Sequence, residues 1–244
     1  MITDRSIFSV TGSDRATFLQ GMVTNDVDKL KDGIVYTALL TPQGKYLADF
    51  FLIPADDAIL IDIKTEIAAP TLQRLTMYKL RADVQIAESP LKVGRGTGPM
   101  PEGAFPDPRH DALGWRHYAE TPHSDETDWT ALRVTHQIPE TGVELTPDTY
   151  ILEVGFENLN GVDFRKGCYV GQEVTARMKH KTELRKGLAQ VAVSGDAATG
   201  AQITKDGKAV GTLLSRAGDK ALAYLRFDRA DGPLEADGAT LHRL

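Results

Sequence analysis

The periodicity of the chain changes once, near residue 185, and that change limits the fold more than any other feature. Before it, strand-like and helix-like stretches alternate without a regular βαβ rhythm. After it only short strands follow, over 188–193, 208–214 and 220–227. An irregular mixture argues for an α+β fold rather than a doubly wound sheet. Evenly spaced short strands, with an Asp-Gly hairpin turn in Lys205-Asp206-Gly207-Lys208, argue for a small β-barrel. The expected division is one domain over residues 1–184 and a barrel domain over 185–244.

Within the first part, Ser13-Asp14 precedes Phe18, Leu19 and Met22 and predicts a capped amphipathic helix. Residues 34–40 and 45–53 read as strands joined by Thr41-Pro42-Gln43-Gly44, with Pro and Gly suited to a type II turn. Ile59–Ile63, interrupted by Asp62, reads as a strand. Thr65 to Tyr78 predicts a helix with Ile67, Leu72, Leu75 and Tyr78 on one side, and Pro70 is tolerable in its first turns. Val84–Ile86 and Leu91–Val93 predict a short strand pair. Residues 94–114 hold five glycines and four prolines and read as a surface loop. Trp129 and Leu132 predict a helix capped by Ser124 or Asp125.

Composition removes several function classes. A formal charge of -6 makes bulk electrostatic binding of nucleic acid a poor expectation. No apolar run of about 18 residues exists, so no membrane partner is expected. Met1-Ile2-Thr3-Asp4-Arg5 does not read as a signal peptide. One cysteine excludes an intrachain disulfide, in keeping with a reducing compartment. The expected location is the cytoplasm.

The chemistry concentrates in Asp163-Phe164-Arg165-Lys166-Gly167-Cys168-Tyr169-Val170-Gly171-Gln172-Glu173-Val174-Thr175-Ala176-Arg177. Gly167 and Gly171 flank Cys168 and Tyr169, and Val174 with Met178 predicts a helix starting near Gly171. A helix N-terminus and Lys166 two residues away are features that favour a thiolate. Residues 165–186 carry seven Lys or Arg (Lys179, Lys181, Arg185 and Lys186 among them) against two acids, a local +5 that suits an anionic ligand. The plain readings stand beside these. A lone cysteine is commonly a small buried hydrophobe, and a basic run is commonly a solvated helix face.

Lys166-Gly167-Cys168-Tyr169-Val170-Gly171-Gln172-Glu173 resembles the K-G-C-Y-x-G-Q-E signature of the YgfZ family, relatives of the glycine-cleavage T-protein. Phe18-Leu19-Gln20-Gly21 with Thr24-Asn25-Asp26-Val27 resembles the family's N-terminal pattern. Leu40-Thr41-Pro42-Gln43-Gly44-Lys45 with Asp49-Phe50, Tyr78-Lys79-Leu80-Arg81, Asp107-Pro108-Arg109 and Leu113-Gly114-Trp115-Arg116 fit as well. So does Ile138-Pro139-Glu140 with Gly142 and Glu144. The segment Thr182-Glu183-Leu184-Arg185-Lys186 is most like the mitochondrial branch.

The resemblance implies α+β sub-domains around a central cavity that takes tetrahydrofolate, followed by a β-barrel. It implies an accessory role in assembly or repair of iron-sulfur clusters, supporting radical-SAM enzymes and, through them, tRNA modification. Expected partners are an A-type iron-sulfur carrier or cluster-containing clients. Cys168 is then a transient cluster ligand shared with a partner, or the acceptor of a covalent intermediate, and Lys166 keeps it ionised. Arg81, Arg116, Arg177 and Lys166 are candidate anchors for the folate tail, and Asn25 and Asp49 candidate pterin or cavity contacts. Arg81 and Arg116 can equally be surface charges, and Asn25-Asp26 can simply cap a turn. Tyr169 either lines the cavity or packs in the core. Gln172 and Glu173 orient the loop or serve the helix start. The alternative function is a folate-dependent aminomethyltransferase-like enzyme. The T-protein has adjacent aspartates where this chain has Ala48-Asp49, so one carboxylate is missing.

Overall fold

The computed structural model describes residues 4–180 and 183–244. The readings at Met1, Ile2, Thr3, Lys181 and Thr182 lie outside the described residues. The chain divides into two compact units, residues 1–127 with 157–174 and residues 128–156 with 175–244.

The first unit is built on strands β1 (Arg5–Thr11), β2 (Val35–Leu40), β3 (Tyr46–Pro54), β4 (Ile59–Lys64) and β5 (Gln85–Glu88), with helices α1 (Arg15–Met22) and α2 (Thr65–Tyr78). The strands form an antiparallel sheet in the order β2-β3-β4-β1-β5. Period-2 alternation sorts its side chains into two faces. Val10, Leu39, Phe50, Leu52, Ile61 and Ile63 form one core with Leu19 and Met22 of α1 and Ala68 and Leu75 of α2. Tyr36, Asp49, Phe51 and Asp62 fall on alternate positions, and all four are buried.

The helices lie where the sequence predicts, with corrections at their ends. Asp14 precedes α1 but makes no side-chain cap. Its carboxylate instead accepts from the backbone N–H of Asp83 (2.8 Å), and Ser13 donates to the Asp83 carboxylate. On α2 the buried residues are Ala68, Thr71 and Leu75, while Tyr78 is exposed. In the turn before β3, Gly44 N–H donates to Thr41 C=O, so Gly44 is the fourth turn residue and not the third. It carries the positive φ of +76°, while Gln43 is not left-handed. The turn is therefore not type II.

The expected pair of short strands does not form. β5 joins the edge of the large sheet beside β1, whereas β6 (Lys92–Gly96) pairs with β8 (Trp115–Ala119). β7 (Phe105–Pro106) lies on the other side of β8. Residues 94–114 thus contribute to a three-stranded sheet instead of forming a plain loop.

In the second unit, α3 (Trp129–His136) is capped by Asp128, whose Oδ1 accepts from Ala131 N–H (3.0 Å). It is not capped by Ser124 or Asp125, and Asp125 spends its carboxylate on Thr97, Gly98 and Thr127. Helix α4 (Gln172–Lys179) runs from the end of one unit into the other. Strands β9 (Lys186–Ser194), β10 (Gln202–Lys205), β11 (Lys208–Ala217), β12 (Lys220–Arg226), β13 (Leu234–Ala236) and β14 (Ala239–Arg243) close into a six-stranded barrel. Asp206 and Gly207, at φ 50° and 75°, make the two-residue turn between β10 and β11, and Lys205 pairs with Lys208. Inside lie Val191, Ile203, Leu213, Ala223, Leu225, Leu234 and Leu241, every one buried. Among the described residues no helix is long and apolar enough to cross a membrane.

Candidate functional site

The signature segment has no regular structure from Gly161 to Tyr169, so its position depends on side-chain and isolated backbone bonds. Thr24 Oγ1 donates to Gly161 C=O (2.7 Å), and Asp163 N–H donates to Thr24 C=O (3.1 Å). The Asn25 amide donates to Asn160 C=O (2.6 Å) and Tyr36 C=O (2.8 Å), and its Oδ1 accepts from Asp26 N–H and Lys29 Nζ. Lys29 also pairs with Asp163 at 2.7 Å. That hydrogen bond holds the Asp163 carboxyl below its ordinary value.

Lys166 is the firmest of these anchors. Its Nζ donates to the carbonyls of Gln20 (2.8 Å), Val23 (2.5 Å) and Asn25 (2.9 Å). An ammonium has three N–H groups, so all are committed and none remains for the neighbouring thiol. Burial brings its pKa down to about 8. The ammonium also sits 5.0 Å from the centroid of the Tyr169 ring, and Tyr169 is buried.

The other side of the segment is fixed by a backbone crossing. Gly171 has φ +86°, and a Cβ there would stand 2.6 Å from Thr41 C=O and 2.9 Å from Leu40 Cβ. A Cβ on Gly44 would meet Val174 Cβ at 2.7 Å. Two glycines therefore let the Thr41–Lys45 turn lie against the start of α4. Between these anchors Gly167 and Cys168 are exposed, and the thiol is free. The cysteine is not a buried hydrophobe. Gln172, at the first position of α4, is half-buried, while Glu173 and Arg177 are exposed on that helix.

Asp49 lies on the alternate face of the large sheet, and Arg116 reaches that face from β8 through Asp62. Both Asp49 oxygens accept from tyrosines, Tyr36 (3.0 Å) and Tyr46 (2.6 Å). Arg116 donates to Asp62 (2.6 Å) and Tyr118 (2.9 Å) and lies 3.5 Å from Asp107. Arg5 also bonds Asp62, and Arg109 grips Asp107 through Nε and Nη2 (2.9 and 2.8 Å). The guanidiniums of Arg116, Arg109 and Arg5 lie 4.0, 4.9 and 5.5 Å from the centroid of the Phe51 ring. Burial alone would raise the Asp62 carboxyl, but Arg5 and Arg116 outweigh it and hold Asp62 below the ordinary range. Asp107 is held low by Arg109 and Arg116 in the same way. Arg116 stays charged despite burial because Tyr118, Asp62 and Asp107 surround it.

These observations bear on tetrahydrofolate. A pterin needs donors and acceptors that protein groups have not already taken. The Asn25 amide and the Lys166 ammonium are fully committed within the first unit, while the Asp49 carboxylate accepts two bonds of the roughly four it can take. Arg116 is 1% exposed and held among Asp62, Asp107 and Tyr118. Arg81 is exposed just past α2. Of the candidate contacts, Gln172, Glu173 and Arg177 keep side chains that reach solvent.

Sequence reasoning missed Arg5, Asp62, Tyr36 and Tyr118 as a unit. The one signal was Asp62, a charge amid the aliphatic run of β4. Chemically, the Cys168 segment offers one accessible sulfur on an anchored backbone. Among the described residues no group of three or more His, Cys, Asp or Glu could hold a metal ion.

Comparison with known proteins agrees with this architecture. Residues 185–243 match the family model described as CAF17, C-terminal beta-barrel domain. The iron-sulfur cluster assembly factor IBA57 homolog, mitochondrial, of Neurospora crassa is 32% identical over 76% of this chain and 51% of its own length. The mouse protein of that name is 29% identical over 94% of this chain and 78% of its own, and the human one 27% over the same shares. The chain thus spans about half the length of the fungal relative. The glycine cleavage system aminomethyltransferase T of Bartonella henselae superposes with a TM-score of 0.78, covering 98% of this chain and 82% of that one at 13% identity. That likeness shows the fold alone. The relatives' mitochondrial names overturn the expectation of a cytoplasmic location. The chain has the aminomethyltransferase fold with a barrel of the CAF17 C-terminal type, and over most of its length it is similar to the IBA57 iron-sulfur cluster assembly factors of mitochondria.

Proposed function

We propose that this chain is an accessory factor in iron-sulfur cluster assembly, and that Cys168 serves as one transient ligand to a cluster shared with a carrier or client protein. The observation that carries this reading is the exposure of the only sulfur of its kind in the chain, on a segment fixed on both sides. Cluster ligation normally takes four protein ligands, so one thiolate leaves the others to a partner or to small thiols. Such a ligand can release its cargo easily, which suits a transfer role. An A-type carrier is the partner class this reading names. Effects on radical-SAM enzymes and on tRNA modification are downstream of cluster supply.

Lys166 acts as a staple in this reading rather than as a base or a counterion for the thiolate. Tetrahydrofolate has no assigned step. The aminomethyltransferase alternative has one carboxylate fewer to draw on, since Ala48 precedes Asp49, and Asp49 is held by the hydroxyls of Tyr36 and Tyr46.

The test is complementation of a strain lacking the protein, read by the activity of cluster-dependent enzymes. Wild type restores activity, and Cys168→Ser, with unchanged thermal stability, does not. Reconstitution with iron, sulfide and an A-type carrier should give a visible absorption spectrum that Cys168→Ser alters. Full complementation by Cys168→Ser would remove the proposal.

A further inference from the structure

The outward flank of α2 has the character of an unassigned contact surface. Pro70, Gln73, Arg74, Met77 and Tyr78 line a cavity of about 390 Å3. Their spacing of three and four residues makes them one continuous helical stripe. Met77 is 70% exposed and Tyr78 41%, and Leu80 just beyond the helix is 86% exposed. Among the described residues the other large exposed hydrophobics are Met100 and Leu244, which belong to no such run. Clustered exposed apolar side chains, unlike scattered ones, mark places where a partner removes them from water.

The backbone supports this independently. Leu80 has φ +46°, a left-handed conformation that a leucine rarely adopts. A strained residue that gains no burial in return is a reason to look for a function. Glu66, one turn before Pro70, lies 3.6 Å from Lys64, and beyond it the charged residues up to Arg81 are Arg74, Lys79 and Arg81. Lys79 is spent on Val84 C=O (2.9 Å). Among the described residues, Arg74 and Arg81 are held in no ion pair.

We propose that this stripe, with Leu80 and Arg81 at its end, docks a protein partner that presents an amphipathic acidic helix. Met77, Tyr78 and Leu80 supply the apolar anchors, and Arg74 and Arg81 select carboxylates at the rim. This placement is independent of the role of Cys168. Apolar anchors at helical spacing on α2 would meet the apolar face of the partner's helix.

The probe is a fluorescent synthetic helix of roughly 18 residues, with leucines on one face and glutamates on the other. It is titrated into the full chain beside a counterpart in which lysines replace the glutamates. The acidic peptide should saturate, and hydrogen exchange should slow over residues 70–81. Affinity should fall about tenfold or more in the double variant Met77→Asp with Leu80→Asp. It should fall less in Arg74→Gln with Arg81→Gln, and remain unchanged in Cys168→Ser. All five positions are exposed or half-buried, so circular dichroism should show an intact fold in each variant. Equal binding of both peptides, no effect of the double variant, or protection elsewhere would overturn the proposal. So would a dimer in sedimentation that the Met77/Leu80 variant dissolves, since a second copy would then be the occupant. Binding of vesicles rich in anionic lipid in preference to the peptide would also overturn it.

Discussion

The C-terminal barrel and the large sheet of the first unit bury comparable β-structure with opposite materials. The barrel interior is aliphatic, with Val191, Leu213, Ala223, Leu225 and Leu241 pointing inward. The large sheet is aliphatic only on the side covered by α1 and α2. Its alternate face buries Asp62, Asp49 and Arg116 around Phe51 and Tyr36. Buried aliphatics need only shape and volume, whereas buried charges need every partner in place. The barrel should therefore tolerate change of charge state, and the sheet face should not.

Asp62→Asn should break this contrast most sharply. It leaves Arg5 and Arg116 without their shared carboxylate, at a cost of about 4 kcal/mol. Urea unfolding followed by Trp115 emission, in a Trp129→Phe background, measures it; a loss under about 1 kcal/mol would mean the network is slack. The wild-type network should also be acid-labile. Asp62 and Asp107 ionise in the folded state below the value of an unfolded chain. Their contribution is complete above about pH 4 and disappears as pH falls through the folded values.

Leu213→Ala in the barrel should cost about 3 kcal/mol through the cavity it opens. Trp129 emission in a Trp115→Phe background reports it, and the loss should be the same at pH 7 and pH 4. A strong pH dependence there would erase the contrast between the two regions.

Lys166→Met should cost about 2 kcal/mol, because three carbonyls lose their donor. It also carries a pH signature. With a folded value of about 8 against an ordinary 10.5, the unfolded chain binds more protons between the two. Stability contributed by this group therefore rises with pH across that window. Wild type should gain on the variant in Tm from pH 8 to pH 10, and parallel curves would mean that the three carbonyls offset the cost of burying the ammonium.

The smallest effect belongs to Tyr224→Phe in the barrel, whose hydroxyl donates to Glu153. About 1 kcal/mol is expected. The change should leave cluster-dependent activity in the complemented strain untouched, since Cys168 lies in the other unit.

Much of the architecture was legible because its signals are local. Thr65–Tyr78 is helical over the span its periodicity marks, α4 starts next to Gly171, and Asp206-Gly207 turns the barrel hairpin. Residues 84–93 were read wrongly as a pair. β5 and β6 each found another neighbour, and partner choice between short strands depends on residues far away in sequence. The caps failed for a related reason. Asp14 and Asp125 have side chains suited to capping, but tertiary neighbours offered them other backbone N–H groups. At the candidate site, the Cys168 signature was visible in the sequence, while the roles of Lys166, Asp49 and Arg116 were not.

The sequence by itself determined the α+β order, the closing barrel and the cysteine at a glycine-flanked bend, since periodicity and turn chemistry act within a few residues. Only the tertiary structure decided that this cysteine is exposed while Lys166 beside it is buried. Three carbonyls from the end of α1 and the residues after it capture the ammonium, and that capture leaves the sulfur facing outward. The tertiary structure likewise decided that Asp49 and Arg116 serve the sheet, because the partners that satisfy a buried charge come from strands distant along the chain.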